Sequence, residues 1–198
     1  DDLGSRGLGD VYKRQGEGMA EPKVCVSLEA ITVEEMIEEA TRANIAGADY
    51  VEVRFDKLYL NKPEPITMVN DDGEEYSKMP PIEEWGVKDF EEIDVEQAIA
   101  NLKEGIPVPV VFTTRAVREG GFFAGTEQER LQILELGIKS EVSFVDLELS
   151  IEKKSRDKLV KLASSSNCQV IASIHETKAT PSAEEIAVSY THLRAHET

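Results

Sequence analysis

Five short apolar runs, separated by stretches with the marks of helices, constrain this chain more than any other feature. The runs occupy residues 23–28 (KVCVSL), 50–55 (YVEVRF), 108–114 (VPVVFTT), 143–149 (SFVDLEL) and 169–174 (QVIASI). Between them, helical patterning covers residues 32 to about 46, 94–103, 126 to about 139 and 151 to about 164. Thr32 with Glu35 and Thr126 with Glu129 have capping-box spacing, and Ser182-Ala183-Glu184-Glu185 opens one more helix. Strands alternating with helices make βα units, hence parallel strands joined by crossovers.

Two α/β architectures fit such units. A doubly wound sheet is expected to carry a glycine-rich turn after its first strand, but Leu28-Glu29-Ala30 stands there and no GxGxxG or Walker pattern occurs. The strands instead carry polar residues of one parity near their C-terminal ends. Glu52, Arg54 and Asp56 alternate with Val51, Val53 and Phe55, and the other runs give Cys25, Ser27 and Glu29, then Thr113 and Arg115, Asp146 and Glu148, Ser173 and His175. Polar groups gathered at the C-terminal mouth of parallel strands are how a (β/α)8 barrel builds a site. The expectation is therefore a (β/α)8 TIM barrel, truncated after about the fifth strand.

Acidic residues outnumber basic ones by 39 to 22, a formal charge of −17. With no basic cluster to offset it, that charge excludes nucleic acid and anionic membrane surfaces as partners. Cys25 and Cys168 lie in separate apolar runs without metal-ligand spacing, and read as small buried residues of a reducing compartment. No apolar run is long enough to cross a bilayer and no signal segment opens the chain, so a cytoplasmic location is expected.

Residues 1–18 are rich in glycine and charge, and GLGDVYKRQ at 7–15 resembles translated sequencing-adapter read-through, as does VSYTHLRAHET at 188–198. The expected organisation is a non-native leader over 1–18, a partial barrel over 19–187 and a non-native tail over 188–198. Residues 57–93 form an acidic, proline-dotted insertion, with a hairpin pairing 66–70 with 74–79 across Asp71-Asp72-Gly73. It reads as a surface insertion, with a lid as the functional alternative.

His175 is the sole histidine outside the last few residues, placed where a strand run gives way to a loop, as suits a proton shuttle. In the stretch 111–121, Arg115 ends a strand and Glu119 precedes Gly120 and Gly121, which permit close backbone approach to a ligand. A glycine turn with two solvated charges is the plainer alternative. Arg54 and Arg115 facing Glu52, Asp56, Asp146 and Glu148 could equally form a structural ion-pair network. His192 and His196 lack a third ligand, and Thr177 and Lys178 near a helix start do not amount to a phosphate site, so no metal and no cofactor are expected.

Taken together, Val26-Ser27-Leu28, Glu52-Val53-Arg54-Phe55-Asp56, Phe112-Thr113-Thr114-Arg115 with Glu119-Gly120-Gly121, Asp146-Leu147-Glu148-Leu149, and Ser173-Ile174-His175 followed by Thr180-Pro181 resemble the type I 3-dehydroquinate dehydratases. These shikimate-pathway barrels convert 3-dehydroquinate to 3-dehydroshikimate through an imine. The resemblance implies that His175 is the general acid and base, with Glu119 as its carboxylate partner. It implies that Ser27, Glu52, Arg54 and Arg115 bind substrate, while Asp56, Asp146 and Glu148 order the arginines from behind. Ile174 and Glu176 depart from the polar residue and the Asp or Asn that flank this histidine in the family. The family's imine-forming lysine belongs to a later strand than this sequence reaches, and Lys178 is misplaced to replace it. The chain as given is thus expected to be inactive, and the full-length protein could be a homodimer. The alternative function is a non-catalytic barrel that binds a small polyhydroxylated carboxylic acid.

Overall fold

The computed structural model describes residues 22–194. Among the described residues, nine strands and five α-helices follow in chain order. The strands are β1 (Cys25–Ser27), β2 (Tyr50–Arg54), β3 (Leu60–Asn61), β4 (Ile66–Val69), β5 (Glu75–Lys78), β6 (Gly86–Val87), β7 (Val110–Thr113), β8 (Phe144–Glu148) and β9 (Gln169–Ser173). The helices are α1 (Val33–Ile45), α2 (Val95–Gly105), α3 (Glu127–Lys139), α4 (Lys153–Ser164) and α5 (Ala183–Arg194). The main sheet has the order β1-β2-β7-β8-β9, and all of its pairings are parallel. Its spatial order is the chain order, with no reversal that would mark a doubly wound sheet. The result is an arc of a (β/α)8 barrel, with β1 and β9 as outer strands that do not pair with each other among the described residues.

Helix starts follow the caps expected from sequence. Thr32 accepts a hydrogen bond from the Glu35 N–H, and Thr126 with Glu129 forms a reciprocal capping box. Ser182 and Glu185 exchange the same pair of bonds ahead of α5. Helix packing is close where glycine allows it: a Cβ added to Gly137 of α3 would lie 2.8 Å from the Phe112 ring. Phe112 in turn packs on Phe55 with ring centroids 5.2 Å apart. Burial of each such ring stabilises the fold by about 1.5–3 kcal/mol.

Pleating divides the sheet into two faces. Val51, Val53, Val145 and Leu147 are fully buried against Met36, Ile99, Ile133 and Leu134 of the helices. The opposite parity points inward along the arc and carries the polar groups. Cys25 belongs to this second set on an outer strand and is exposed, contrary to the buried position expected of it, whereas Cys168 is buried. Both thiols are free.

The expected insertion starts later than residue 57. Lys57, Leu58, Tyr59 and Leu60 are all buried, because Tyr59 packs on Phe90 and Phe123 and closes the core beneath β2. Beyond them the hairpin forms as β4 and β5, turning at Gly73 (φ 82°) while the Asn70 side chain accepts from the Asp72 and Glu74 N–H groups. Both of its strands are exposed throughout. No helix among the described residues is long and apolar enough to cross a membrane. The terminal segments 1–18 and 195–198, and the side chains of the His192 and His196 pair, lie outside the described residues.

Candidate active site

Parallel pairing brings the C-terminal ends of β2, β7, β8 and β9 side by side, and six polar side chains meet there. Arg115, just past β7, donates from Nη2 to Glu52 Oε1 at 3.1 Å. The same guanidinium lies 3.6 Å from Asp146 Oδ2 and 3.5 Å from Glu148 Oε1, so one cation links β2 to β8. His175, two residues past β9, has Nδ1 at 3.1 Å from Glu119 Oε2 and 3.8 Å from Glu148 Oε1. The first distance is a hydrogen bond; the second is a Coulombic contact only.

Glu119 reaches this position through a tightly folded loop after β7. Ala116 bridges to Phe123, a single 3₁₀ turn spans Val117–Glu119, and Gly120 takes a left-handed conformation (φ 75°). Gly121 passes so close to the strand end that an added Cβ would lie 2.1 Å from the Arg115 carbonyl oxygen. The glycine pair is therefore a packing requirement as much as a turn, and it leaves Glu119 buried, not solvated.

Arg54 and Asp56 form a buried bidentate pair, with Nε and Nη2 at 3.0 and 2.8 Å from the two carboxylate oxygens. The Arg54 guanidinium and the Lys57 ammonium each lie 5.9 Å from the Phe122 ring centroid. Arg54 is thus committed to Asp56 and the glycine loop, and no contact joins it to His175 among the described residues. Ser27 is exposed at the end of β1, in register with Glu52. The structure brings His175, Glu119, Arg115, Glu52, Asp146 and Glu148 together, and sets Ser27 and the Arg54–Asp56 pair at the side of that group.

Electrostatics explain the titration of the buried acids. Burial, together with the carboxylates of Glu119 and Asp146, pushes Glu148 up to about 7 against the pull of Arg130 and Arg115. Asp146 is also raised, by burial first and by Glu52 in smaller part. Glu119, Glu148 and His175 each offer a ligand atom within 4.8 Å of the others. A cation on Glu148 Oε1, the oxygen nearer His175, would stand beside the Arg115 guanidinium, whose Nε is 3.5 Å from that oxygen, while Arg130 holds Oε2 at 2.8 Å. Glu148 of this set is flanked by two guanidinia and Glu119 is bonded to His175.

Beside His175 and Glu119 opens a hollow of about 490 Å³, lined also by Arg118, Leu149, Ser150 and Glu176. Among the described residues, no lysine lines it. A second hollow of about 310 Å³ lies among Val53, Ile99, Leu102, Val110 and Phe112, with Lys103 and Glu141 also in its lining.

The sequence matches the Type I 3-dehydroquinase family over residues 24–198. The chain belongs to that family. It is 30% identical over 162 residues to the 3-dehydroquinate dehydratase of Methanosarcina acetivorans, covering 81% of this chain and 55% of that protein. With the enzyme of the same name from Listeria monocytogenes it shares 28% identity over 187 residues, 93% of this chain and 63% of the relative. The structure of 3-dehydroquinate dehydratase from Enterococcus faecalis superposes with a TM-score of 0.68 at 23% identity, covering 91% of this chain and 65% of that one. This chain therefore spans little more than half the length of several type I 3-dehydroquinases it matches.

Two buried charged residues beside this cluster carried no assignment from sequence. Arg130 of α3 is 1% exposed and bonds Glu148, Glu127 and the Thr114 carbonyl. Its signal was present: Ile133, Leu134, Gly137 and Ile138, all buried, lie three, four, seven and eight positions on, so Arg130 occupies the apolar stripe of its helix. Lys57 is 3% exposed and pairs with Glu29 at the end of β1. Its neighbours in sequence are all buried, which shows only once the chain turns under Phe122.

Proposed function

We propose that this chain carries the acid–base half of a 3-dehydroquinate dehydratase, with His175 as the general acid and base and Glu119 as the residue that orients it. The observation that carries the reading is the 3.1 Å contact of His175 Nδ1 with Glu119 Oε2 at the mouth of parallel strands. With Nδ1–H donating to Glu119, the other ring nitrogen is left basic for a substrate proton. In the elimination, that nitrogen takes the proton from the carbon next to the imine and the C–H electron pair moves toward the imine nitrogen. Its return expels the neighbouring hydroxyl, which leaves as water with the proton held by His175.

Arg115, Glu52 and Ser27 are the groups we assign to the substrate's hydroxyls and carbonyl region, and Arg54 adds positive potential from behind Phe122. Asp56, Asp146 and Glu148 hold the guanidinia in place. The imine itself needs a lysine amine, and among the described residues no lysine lines the hollow at His175. The reading for this chain alone is therefore binding of 3-dehydroquinate without turnover. The second reading is a non-catalytic barrel that binds a polyhydroxylated carboxylic acid, in which the Arg54–Asp56 and Arg115–Glu52 pairs line a binding site only. Two free thiols suit a reducing compartment, and we assign the protein to the cytoplasm.

Calorimetry with 3-dehydroquinate, borohydride trapping and the absorbance of the conjugated product test the reading on this chain and on its gene product at the family's full length. Expected are binding without a trapped adduct for this chain, and adduct and product for the longer one. In the longer protein, His175→Gln is expected to slow dehydration by roughly 10²–10⁴-fold. Turnover by the 198-residue chain would place the amine elsewhere, and absence of any adduct in the longer protein would leave the binding module.

A further inference from the structure

Two carboxylates stand beside one imidazole nitrogen, and only one of them bonds it. Glu119 Oε2 is 3.1 Å from His175 Nδ1, while Glu148 Oε1 stops at 3.8 Å. Glu148 Oε1 is buried and has no hydrogen-bond partner among the described residues; its other neighbour, Arg115 Nε, is 3.5 Å away. An unpartnered buried carboxylate oxygen is costly, so a freely moving side chain would close that gap. Glu148 must be held from its other end.

The restraint comes from helix α3. Arg130 Nη1 donates to Glu148 Oε2 at 2.8 Å and to the Thr114 carbonyl at 3.2 Å. Its Nε and Nη2 donate to the two oxygens of Glu127 at 3.0 and 2.7 Å. Both edges of a planar, rigid fork are thereby occupied, and the fork is fully buried. We propose that Arg130 is a positioning residue that holds Glu148 away from His175 and so leaves the imidazole Nδ1 proton to Glu119.

The inference rests on the reading of His175 as the acid and base, and it adds what selects its partner. Glu119 rides on the glycine loop, whereas Glu148 belongs to a central strand. With Arg130 in place the ring orientation follows the loop; without it the ring would follow β8. The groups facing Glu148 are Arg130 of α3, Arg115 after β7, Glu119 of the loop, Asp146 of β8 and His175 after β9. Of these Arg130 makes the one direct hydrogen bond. Its loss would favour a protonated Glu148 able to donate across the gap, since burial already pushes that carboxyl up to about 7.

The test is ring ¹⁵N spectroscopy of this chain with labelled histidine at pH 8. In the parent, Glu119→Gln is expected to move the His175 Nδ1 resonance and Glu148→Gln to leave it within a linewidth. In Arg130→Lys, which keeps the charge but loses the fork, and in Arg130→Gln, the dependence is expected to swap, Glu148→Gln now moving Nδ1 more than Glu119→Gln does. A merely structural role would weaken both responses alike, and dependence on Glu119 unchanged in either variant overturns the proposal. If neither Arg130 variant folds, Glu127→Gln at the exposed end of the same fork decides: Glu148→Gln must then perturb Nδ1 at least twofold more than in the parent, and an equal perturbation overturns it. The role of His175 is read separately by dehydration in His175→Gln of the longer gene product, so no swap with that loss intact rejects Arg130 alone, and a swap without that loss rejects the acid–base reading alone.

Discussion

Phe122 donates its backbone N–H to Asp56 Oδ2 at 3.0 Å, and this bond ties the loop that carries Glu119 to the end of β2. Asp56 is fully buried and also holds the Nε–Nη2 edge of Arg54. One carboxylate therefore fixes both an arginine to which the family resemblance gives a substrate-binding role and the loop that carries Glu119.

Removal of Asp56 should accordingly break more than an ion pair. Asp56→Ala leaves a buried guanidinium unpaired and is expected to lower stability by about 3–5 kcal/mol, whereas Asp56→Asn, which keeps volume and some hydrogen bonding, is expected to lower it by about 1–3 kcal/mol. Urea denaturation measures both. Limited trypsin digestion should cut faster after the exposed Arg118 in each variant, because the loop loses its anchor.

The two glycines of the loop are not equivalent. Gly120 needs its left-handed φ of 75° and has only the Thr177 methyl within 4 Å of an added Cβ, so Gly120→Ala should destabilise by about 1–2 kcal/mol. Gly121 would drive a Cβ to 2.1 Å from the Arg115 carbonyl oxygen, and backbone cannot give way as a side chain can. Gly121→Ala is expected to exceed Gly120→Ala in thermal destabilisation and to shift the His175 ring resonances, since Glu119 must move. Equal melting temperatures for the two variants would show that the loop relaxes freely.

What could be read from sequence followed from local rules. Strand parity, the Thr126 capping box and the turn at Gly73 all depend on neighbours within a few residues, and all are present in the fold. His175 and Glu119 lie 56 residues apart and were joined through family resemblance; the contact itself needs β7 and β9 at their places in the arc. Arg130 and Lys57 escaped notice because charge suggests solvent, and only the packing of α3 over Glu148 or of Phe122 over Lys57 reverses that. Cys25 erred the other way, since an apolar run says nothing about which strand lies at the edge of a sheet.

Arg115 contacts three carboxylates from two strands, Glu52, Asp146 and Glu148. Lysine cannot span Nε and Nη2 positions together, so Arg115→Lys should fail to replace it. Both Arg115→Lys and Arg115→Ala are expected to weaken 3-dehydroquinate binding by tenfold or more in calorimetry, as loss of a charge-assisted contact of roughly 1.5–3 kcal/mol implies. Unchanged affinity in Arg115→Ala would assign this guanidinium to the ion-pair network alone.

Glu148 gives the fold a pH dependence whose sign can be stated. Burial, with Glu119 and Asp146, raises its carboxyl from 4.5 to about 7, so the folded state holds that proton more tightly than the unfolded chain does. Its contribution to stability is fully present below about pH 4.5 and is lost as pH rises through about 7. Asp146, raised by burial, acts in the same direction. A shift of this size corresponds to a loss on the order of 3 kcal/mol, an upper figure because the chain can relax around the charge. Glu148→Gln cannot ionise. Between pH 4.5 and 7.5 the wild-type chain should therefore lose stability relative to Glu148→Gln in urea denaturation, by up to about that amount. Two parallel stability curves would mean that Arg130 and Arg115 hold Glu148 ionised across the range.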